Sequence, residues 1–232
     1  MKVFAISDLH LSINNDKPMD IFGPVWDGYL EKIEEDWNAK VSEEDIVLIP
    51  GDISWAMRLS EAREDLGYLS RFKGKKIIIK GNHDYWWNAI SSVRDSLGNQ
   101  TYAIQNDAIK FGNLIICGSR GWIVPENGSK NEKDEKIYKR ELIRMELSLR
   151  TMQELRQPED KVVVMTHFPP FNFKCEDSEM TQLFEKYMVD VVVFGHLHSY
   201  DKKQKMRMTK SGVEYYLTSC DLLNNKLVEI EL

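Results

Sequence analysis

Histidine is scarce in this chain of 232 residues, and its five copies follow a pattern. Each histidine comes just after a short apolar run that is typical of a β-strand, and each lies beside other residues able to bind a metal ion. The clusters are Asp8-Leu9-His10, Gly81-Asn82-His83-Asp84, Thr166-His167 and Gly195-His196-Leu197-His198, and Gly51-Asp52 follows a further apolar run. Imidazole, carboxylate and amide groups grouped in this way are typical of transition-metal sites.

The spacing inside the clusters lets neighbouring side chains share one ion. Asp8 and His10, like His196 and His198, are two residues apart. In an extended backbone, alternate residues point to the same side, so both members of each pair can face a common ion. Glycines come directly before three members of the clusters, where the backbone has room to turn sharply and approach closely.

Strands must bring these clusters together, and the sequence supplies candidates that are short and rich in Val and Ile. They are Lys2–Ser7, Asp45–Ile49, Lys76–Lys80, Thr101–Ile104, Leu114–Cys117, Lys161–Thr166, Val189–Phe194, Val213–Thr218 and Leu227–Leu232. In an open α/β sheet, ligands bind beyond the carboxyl ends of the strands. A single histidine at a strand end is more often structural, but these clusters together use every histidine of the chain.

Apolar residues at steps of three and four predict amphipathic helices between the strands. The stripes run from Trp26 to Trp37, from Leu59 to Leu69 and from Tyr138 to Met152. The alternation of strand and helix predicts an α/β layered fold. We expect a single domain over residues 1–232, because no Pro-, Gly- or Ser-rich linker divides the chain.

Two polar segments interrupt the alternation of predicted strands and helices. Pro125–Lys136 lacks an apolar stripe and is predicted to be an exposed loop that borders the substrate cleft. Asp201–Lys210 carries five basic residues against one Asp. It is either the solvated tip of a hairpin or a patch that steers anions toward the histidines. Asn224-Asn225 predicts a turn between the last two strands.

Composition and charge exclude several classes of protein. The chain has 31 basic and 37 acidic residues and a net charge of −6, which argues against a broad nucleic-acid surface. It has no apolar run of the ~18 residues that a membrane span needs, and no secretory signal is recognisable, so we expect a cytoplasmic location and no membrane partner. Cys117, Cys175 and Cys220 form no CxxC motif and are expected to be buried, reduced thiols.

The ordered set of DxH, GD, GNHD, a strand-end His and GHxH resembles the calcineurin-like metallophosphoesterase family. Its motifs extend from Asp8 to His198, over most of the chain. The resemblance implies a four-layer αββα sandwich with a metal site at the C-terminal ends of the strands. It also implies that a hydroxide bridging two metal ions hydrolyses a phosphomonoester, phosphodiester or pyrophosphate. One departure is Thr166, because many relatives have glycine before this histidine.

Carried over residue by residue, the resemblance implies that Asp52 bridges both ions. One ion is then held by Asp8, His10 and His198, and the other by Asn82, His167 and His196. This mixture of imidazole, carboxylate and amide groups favours Mn, Fe or Zn over a site for Mg or Ca alone. Two divalent ions with two carboxylates and one hydroxide keep a net positive charge, which suits an anionic ester.

Three further residues are candidates for the chemistry. The resemblance implies that His83 contacts the phosphate and protonates the leaving group, a role that suits an ordinary imidazole pKa of ~6.5. Asp84 either orients His83 and stabilises its protonated form, or is a turn residue or helix N-cap. Arg120 either binds a phosphate oxygen of the substrate or is an ordinary surface residue. The tryptophans that follow the motifs either line a substrate pocket or belong to the core: Trp55, Trp86, Trp87 and Trp122.

The function predicted from the sequence is two-metal hydrolysis of a phosphorylated small molecule or a nucleotide. The alternatives are a catalytically silent scaffold of the same fold that binds a protein, and a nuclease. The complete set of ligands together with His83 argues against the scaffold. The acidic net charge argues against the nuclease.

Overall fold

Segments rich in Val and Ile form the strands of this chain, as their branched side chains favour. The computed structural model describes residues 1–13, 17–126, 131–172, 174–198 and 205–232. The strands are β1 (Val3–Ala5), β2 (Ile46–Ile49), β3 (Lys75–Ile78), β4 (Thr101–Ala103), β5 (Ala108–Phe111), β6 (Leu114–Gly118), β7 (Lys161–Met165), β8 (Val191–Phe194), β9 (Arg207–Lys210), β10 (Val213–Leu217) and β11 (Val228–Glu229). The α-helices are α1 (Tyr29–Lys40), α2 (Leu59–Ser70), α3 (Ile90–Asp95), α4 (Glu132–Leu155) and α5 (Glu179–Lys186).

The strands form two sheets, in the orders β11-β1-β2-β3-β4 and β5-β6-β7-β8-β10-β9. Strands β1 to β4 run parallel in the first sheet, and β6, β7, β8 and β10 run parallel in the second. The antiparallel strands β11, β5 and β9 lie at edges of the sheets. Because parallel strands point the same way, the carboxyl ends of the central strands of each sheet share one edge.

Alternation along the strands divides the apolar side chains between two faces of each sheet. In β1, Val3 and Ala5 join the cluster between the two sheets, whereas Phe4 joins the cluster under the helices. The cluster between the sheets also holds Ile46, Leu48, Ile77, Ile116, Val163, Met165, Val191 and Val193. The result is the four-layer αββα sandwich expected for a calcineurin-like chain.

Helices cover the outer face of each sheet through the predicted apolar stripes. Ile33 and Trp37 of α1 and Leu66 of α2 pack with the first sheet. Met145 of α4 and Phe184 of α5 pack with the second sheet. No helix in the described ranges is long and apolar enough to cross a membrane.

The prediction that Pro125–Lys136 is a loop is wrong at its C-terminal end, because α4 begins at Glu132. The side chain of Asn131 caps this helix and accepts a hydrogen bond from the backbone N–H of Asp134. The first turn is acidic, which stabilises a helix N-terminus but leaves no apolar residue to reveal it in the sequence. Residues 127–130 lie outside the described residues.

Sequence reasoning also missed β5, β9 and α5. Part of the basic run Asp201–Lys210 is β9, which forms a hairpin with β10, and residues 201–204 lie outside the described residues. A charged edge strand has no buried face to produce an alternating pattern. The turn predicted at Asn224-Asn225 is confirmed, and both residues have a left-handed backbone. The prediction of buried thiols holds for Cys117 and Cys220 but is wrong for Cys175, which is exposed.

Packing between the sheets predicts a stability effect at Ile77, whose side chain is fully buried there. Ile77→Ala leaves a cavity, so we expect the free energy of unfolding in urea to fall by about 2–5 kcal/mol. Ile143→Ala is the matched control, because Ile143 on α4 is 63% exposed. Equal losses in the two variants would contradict the buried position of Ile77.

Candidate metal centre

The structure brings the seven predicted metal ligands to the edge where the parallel strands end. Asp8 and His10 follow β1, Asp52 follows β2, and Asn82 follows β3, all in the first sheet. The other three come from the second sheet, where His167 follows β7 and both His196 and His198 follow β8. The site therefore lies at the junction of the two sheets.

Asp8 connects the two sheets at this junction. Its carboxylate is fully buried and accepts hydrogen bonds from the hydroxyl groups of Ser7 and Ser219. Both carboxylate oxygens also lie 3.1 Å from the backbone N–H of His196. These bonds fix the orientation of a first-sheet side chain by donors of the second sheet.

One candidate ion site is formed by Asp8, His10 and His198, which each offer a ligand atom within 4.8 Å of the others. Nε2 of His198 is 3.6 Å from Oδ1 of Asp8. Nδ1 of the same ring is 3.2 Å from Oδ1 of Asp221, so this carboxylate accepts the Nδ1 proton and leaves Nε2 for the site. Asp221 was missed by sequence reasoning, although it follows the end of β10 as the other acids follow theirs.

A second group forms around the side chain of Asn82. Its Oδ1 is 2.7 Å from Nε2 of His167 and 2.8 Å from Nδ1 of His196. His167 donates its Nδ1 proton to the backbone oxygen of Pro50 at 2.9 Å, so Nε2 of the neutral ring carries a lone pair. Two lone-pair atoms, Nε2 and Oδ1, then face each other. A cation that binds both would turn this repulsion into attraction.

Asp52 lies between the two groups. Its Oδ2 is 3.9 Å from Nε2 of His10 and 3.5 Å from Nε2 of His167. Its Oδ1 accepts a hydrogen bond of 2.8 Å from the backbone N–H of His83. Oδ2 itself is buried and has no hydrogen-bond partner in the described part of the chain. An unpaired buried carboxylate oxygen is costly, and a shared cation would satisfy it.

Burial raises the pKa of these carboxylates when no cation is bound, because it disfavours their charged form. Desolvation raises the pKa of Asp8, despite the opposing charges of His167 and His198. Desolvation, with a smaller contribution from the charge of Asp84, raises the pKa of Asp52 to about 8. A bound cation reverses this balance, because the same low-dielectric surroundings strengthen its attraction for the carboxylates.

Burial also favours neutral imidazoles, the form that binds metals. Desolvation lowers the pKa of His10 and His167, and it lowers the pKa of His196 to about 3. His198 differs: desolvation lowers its pKa, but its hydrogen bond to Asp221 and the charge of Asp8 outweigh burial and raise the pKa to about 9. The neutral imidazoles of His10, His167 and His196 thus suit transition-metal ions, whereas an ion at His198 must displace its proton.

The backbone at the site is bent into unusual conformations. Asp8, His10, Asp52 and His196 have φ values of 59°, 46°, 52° and 73°. Non-glycine residues seldom adopt this left-handed region, and it is often found at functional sites. Glycine also permits a close approach: a Cβ at Gly81 would lie 2.1 Å from Oδ1 of Asp52. This bears out the expectation that glycine beside the clusters gives the backbone room.

His83 lies at the rim of the ligand group. Its ring centroid is 4.7 Å from that of Trp55 and 5.6 Å from that of His10. Its Nδ1 is buried and has no hydrogen-bond partner among the described residues. Desolvation, followed by the charge of His167, lowers its pKa, while the charge of Asp84 acts in the opposite direction.

The carboxylate of Asp84 is fully buried and serves the backbone around the ligands. Oδ1 accepts hydrogen bonds from the N–H groups of Ile53 and Ser54, which follow Asp52, and Oδ2 accepts one from Gly81. Nε1 of Trp86 donates a further hydrogen bond of 2.9 Å to Oδ1. The described hydrogen bonds of Asp84 do not include the imidazole of His83.

Arg120 contacts the site through its backbone, and its side chain packs between Trp122 and Glu141. Its carbonyl oxygen accepts the N–H of His167 at 2.9 Å. Its guanidinium lies 4.8 Å from the ring of Trp122 and 3.7 Å from Glu141 of α4. The four tryptophans were predicted to line a substrate pocket or to belong to the core. Trp86 and Trp87 are buried in the core. Trp55 and Trp122 are half-buried, and Trp55 stacks on His10.

Fold and site together define an αββα sandwich with a candidate metal-binding cluster at its strand ends. The family model of the calcineurin-like phosphoesterases matches residues 1–200, so the chain belongs to this family. The resemblance inferred from the motifs is confirmed.

Comparison with curated proteins gave no match. Among solved structures, the chain is similar to AQ665, a protein of unknown function from Aquifex aeolicus, with a TM-score of 0.52 and 16% identity over 98% of this chain and 95% of that one. It is also similar to the purple acid phosphatase PPD1 from yellow lupin (Lupinus luteus) seeds, with a TM-score of 0.47 and 12% identity over 100% of this chain and 46% of that one. The likeness to AQ665 supports the fold.

The bond between His198 and Asp221 generates a prediction about metal affinity. Asp221→Asn removes the negative charge of the acceptor that orients the ring, so we expect the affinity for one of the ions to fall about 10- to 100-fold. Titration of metal-free protein with Mn would measure this. Asp177→Asn is the control, because Asp177 is an exposed carboxylate that forms an ion pair with Lys210. Unchanged Mn affinity in Asp221→Asn would contradict the positioning role of Asp221.

Proposed function

We propose that this chain is a two-metal phosphohydrolase that acts on a phosphorylated small molecule or a nucleotide. The observation that carries the proposal is the buried, unpaired Oδ2 of Asp52 between the imidazoles of His10 and His167. The family of the chain supports phosphoester hydrolysis as the reaction.

We assign the ligands in two sets that share Asp52. Asp8, His10 and His198, whose ligand atoms lie within 4.8 Å of one another, hold one ion. Asn82, His167 and His196, which are grouped around Oδ1 of Asn82, hold the other. Mn, Fe and Zn suit the imidazole-rich set. Two cations bound there supply an acidified water as nucleophile and offset the negative charge of the phosphoryl oxygens.

The residues of the chain then divide the remaining work. His83 contacts the phosphate and donates a proton to the oxygen of the leaving group, since its ring lies beside His10 at the rim and its Nδ1 has no described partner. Asp84 is a positioning residue, because its carboxylate holds the backbone on either side of the ligand group. Arg120 supplies positive charge for the substrate.

Two further expectations stay with this proposal. The chain acts as one domain over residues 1–232, because ligands of the two sheets complete each other at the junction. A cytoplasmic location stays a prediction from the sequence. The direct assay is hydrolysis by the Mn-loaded protein of an aryl phosphate monoester, an aryl phosphate diester and a nucleotide pyrophosphate. No hydrolysis of any of the three would contradict the proposal.

The shared position of Asp52 predicts the metal content of a variant. Asp52→Asn removes the charge but keeps a residue type that tolerates the positive φ at this position. We expect about two ions per chain in the wild type and about one or fewer in the variant, measured by elemental analysis after loading with Mn. Asp95→Asn, at an exposed carboxylate, should keep the wild-type content. A metal-free wild type under saturating Mn, Fe and Zn would refute the site.

The role of His83 predicts a dependence on the leaving group. His83→Ala should keep its metals, because the hydrogen bond to Asp52 comes from the backbone N–H, which alanine retains. Turnover should fall about 10²- to 10⁴-fold, most for esters whose leaving groups have a high pKa and least for nitrophenyl esters.

The measurement is the ratio of wild-type to variant rates across a series of aryl and alkyl esters. The metal content of His83→Ala serves as the control for an intact site. A ratio that does not vary with the pKa of the leaving group, with both metals bound, would exclude the acid role.

A further inference from the structure

A cluster of basic side chains lies beside the metal centre, between the end of β3, the segment after β6 and the side of α4. It consists of Lys80, Arg120, Arg140 and Arg144, and we call it the basic cluster. Lys80 precedes the ligand Asn82 by two residues, and the carbonyl oxygen of Arg120 accepts the N–H of His167. The backbone thus links this cluster to the ends of β3 and β7, which carry Asn82 and His167.

The arginines of the cluster converge on one buried oxygen of Glu141. Arg144 binds Oε1 at 2.7 Å, while Arg120 and Arg140 lie 3.7 Å and 3.9 Å from the same oxygen. One carboxylate oxygen cannot satisfy three guanidinium groups. In the described part of the chain, the guanidinium of Arg120 makes no hydrogen bond, so its donor N–H groups stay available.

The cluster keeps an excess of positive charge. Four cations face the single charge of Glu141 in the described structure. The next acids are Asp84, whose oxygens are bound to backbone N–H groups, and Asp52, whose free oxygen faces the histidines. Desolvation and the charges of Arg120 and Arg144 lower the pKa of Lys80, which agrees with a close grouping of these cations.

We propose that Lys80, Arg120 and Arg144 form a second anion subsite, which binds a further phosphoryl group of the substrate beside the one cleaved at the metal centre. This inference rests on the proposed function and narrows its substrate class to molecules with two phosphoryl groups. Guanidinium groups suit the role because their planar fork matches two oxygens of a phosphate. The half-buried position of Arg120 over Trp122 strengthens that interaction by excluding water from one side.

The test uses ligands that water cannot hydrolyse, so that binding is measured without catalysis. Alkane bisphosphonates with spacers of two, four and six carbons are compared with alkylphosphonates of the same chain lengths. Each is titrated by calorimetry into the Mn-loaded protein, and metal content is measured afterwards to show that the ions remain bound. At one spacer length or more, the wild type should bind the bisphosphonate about 10-fold tighter than the monophosphonate.

Three variants test whether the basic cluster produces the preference for bisphosphonates. Arg144→Gln should reduce the preference for bisphosphonate to about 3-fold or less, whereas Arg150→Gln should keep it, because Arg150 on the same helix pairs with Glu146 away from the cluster. Glu141→Gln should act in the opposite direction and raise bisphosphonate affinity, since it removes the carboxylate that competes for the arginines. Arg144 is 41% exposed, so its replacement opens no cavity, and Arg120 and Arg140 remain near the buried carboxylate of Glu141.

The outcomes separate this inference from the proposed function. A wild type without bisphosphonate preference, or an Arg144→Gln variant that matches Arg150→Gln, would overturn the subsite even if the enzyme hydrolyses phosphate esters. A preference that depends on Arg144 would support the subsite even if the three model esters are not cleaved.

Discussion

The buried carboxylate of Asp8 joins the two sheets by polar contacts at the centre of the ligand group. It belongs to the first sheet by sequence, yet its donors include Ser219 and the backbone of His196 in the second. Withdrawing such a carboxylate from water costs several kcal/mol unless donors or cations compensate. The ligand group therefore assembles when the two sheets pack against each other.

The apolar layer between the sheets determines how the two sheets are placed relative to each other. Val and Ile at alternate strand positions fill the interior and determine how far the sheets slide over each other. The strands that carry the ligands end at the same edge, and the ligands lie in the loops just after these strand ends. The core thus determines the positions of the ligands, because it fixes the strand ends that carry them.

Much of this arrangement could be predicted from the sequence, because strands and strand ends are local features. The α/β layering and the convergence of Asp8, Asp52 and the histidines followed from apolar runs that end in polar residues. The αββα sandwich and the two ligand sets were implied by the resemblance to the family. Asp221 and the basic side chains of α4 could not be assigned, since their roles depend on contacts with residues far away in the chain. The start of α4 was missed because its first turn is polar on every face.

The left-handed backbone at Asp8, His10, Asp52 and His196 has a consequence for how the chain tolerates change. Each such residue stores strain of about 1 kcal/mol or more, which glycine would relieve and a β-branched residue would increase. Glycine at these positions would therefore stabilise the backbone while it removes a proposed ligand. Selection for stability and selection for activity oppose each other at these four positions, so a lineage that no longer needs the site should lose these side chains to glycine or asparagine first.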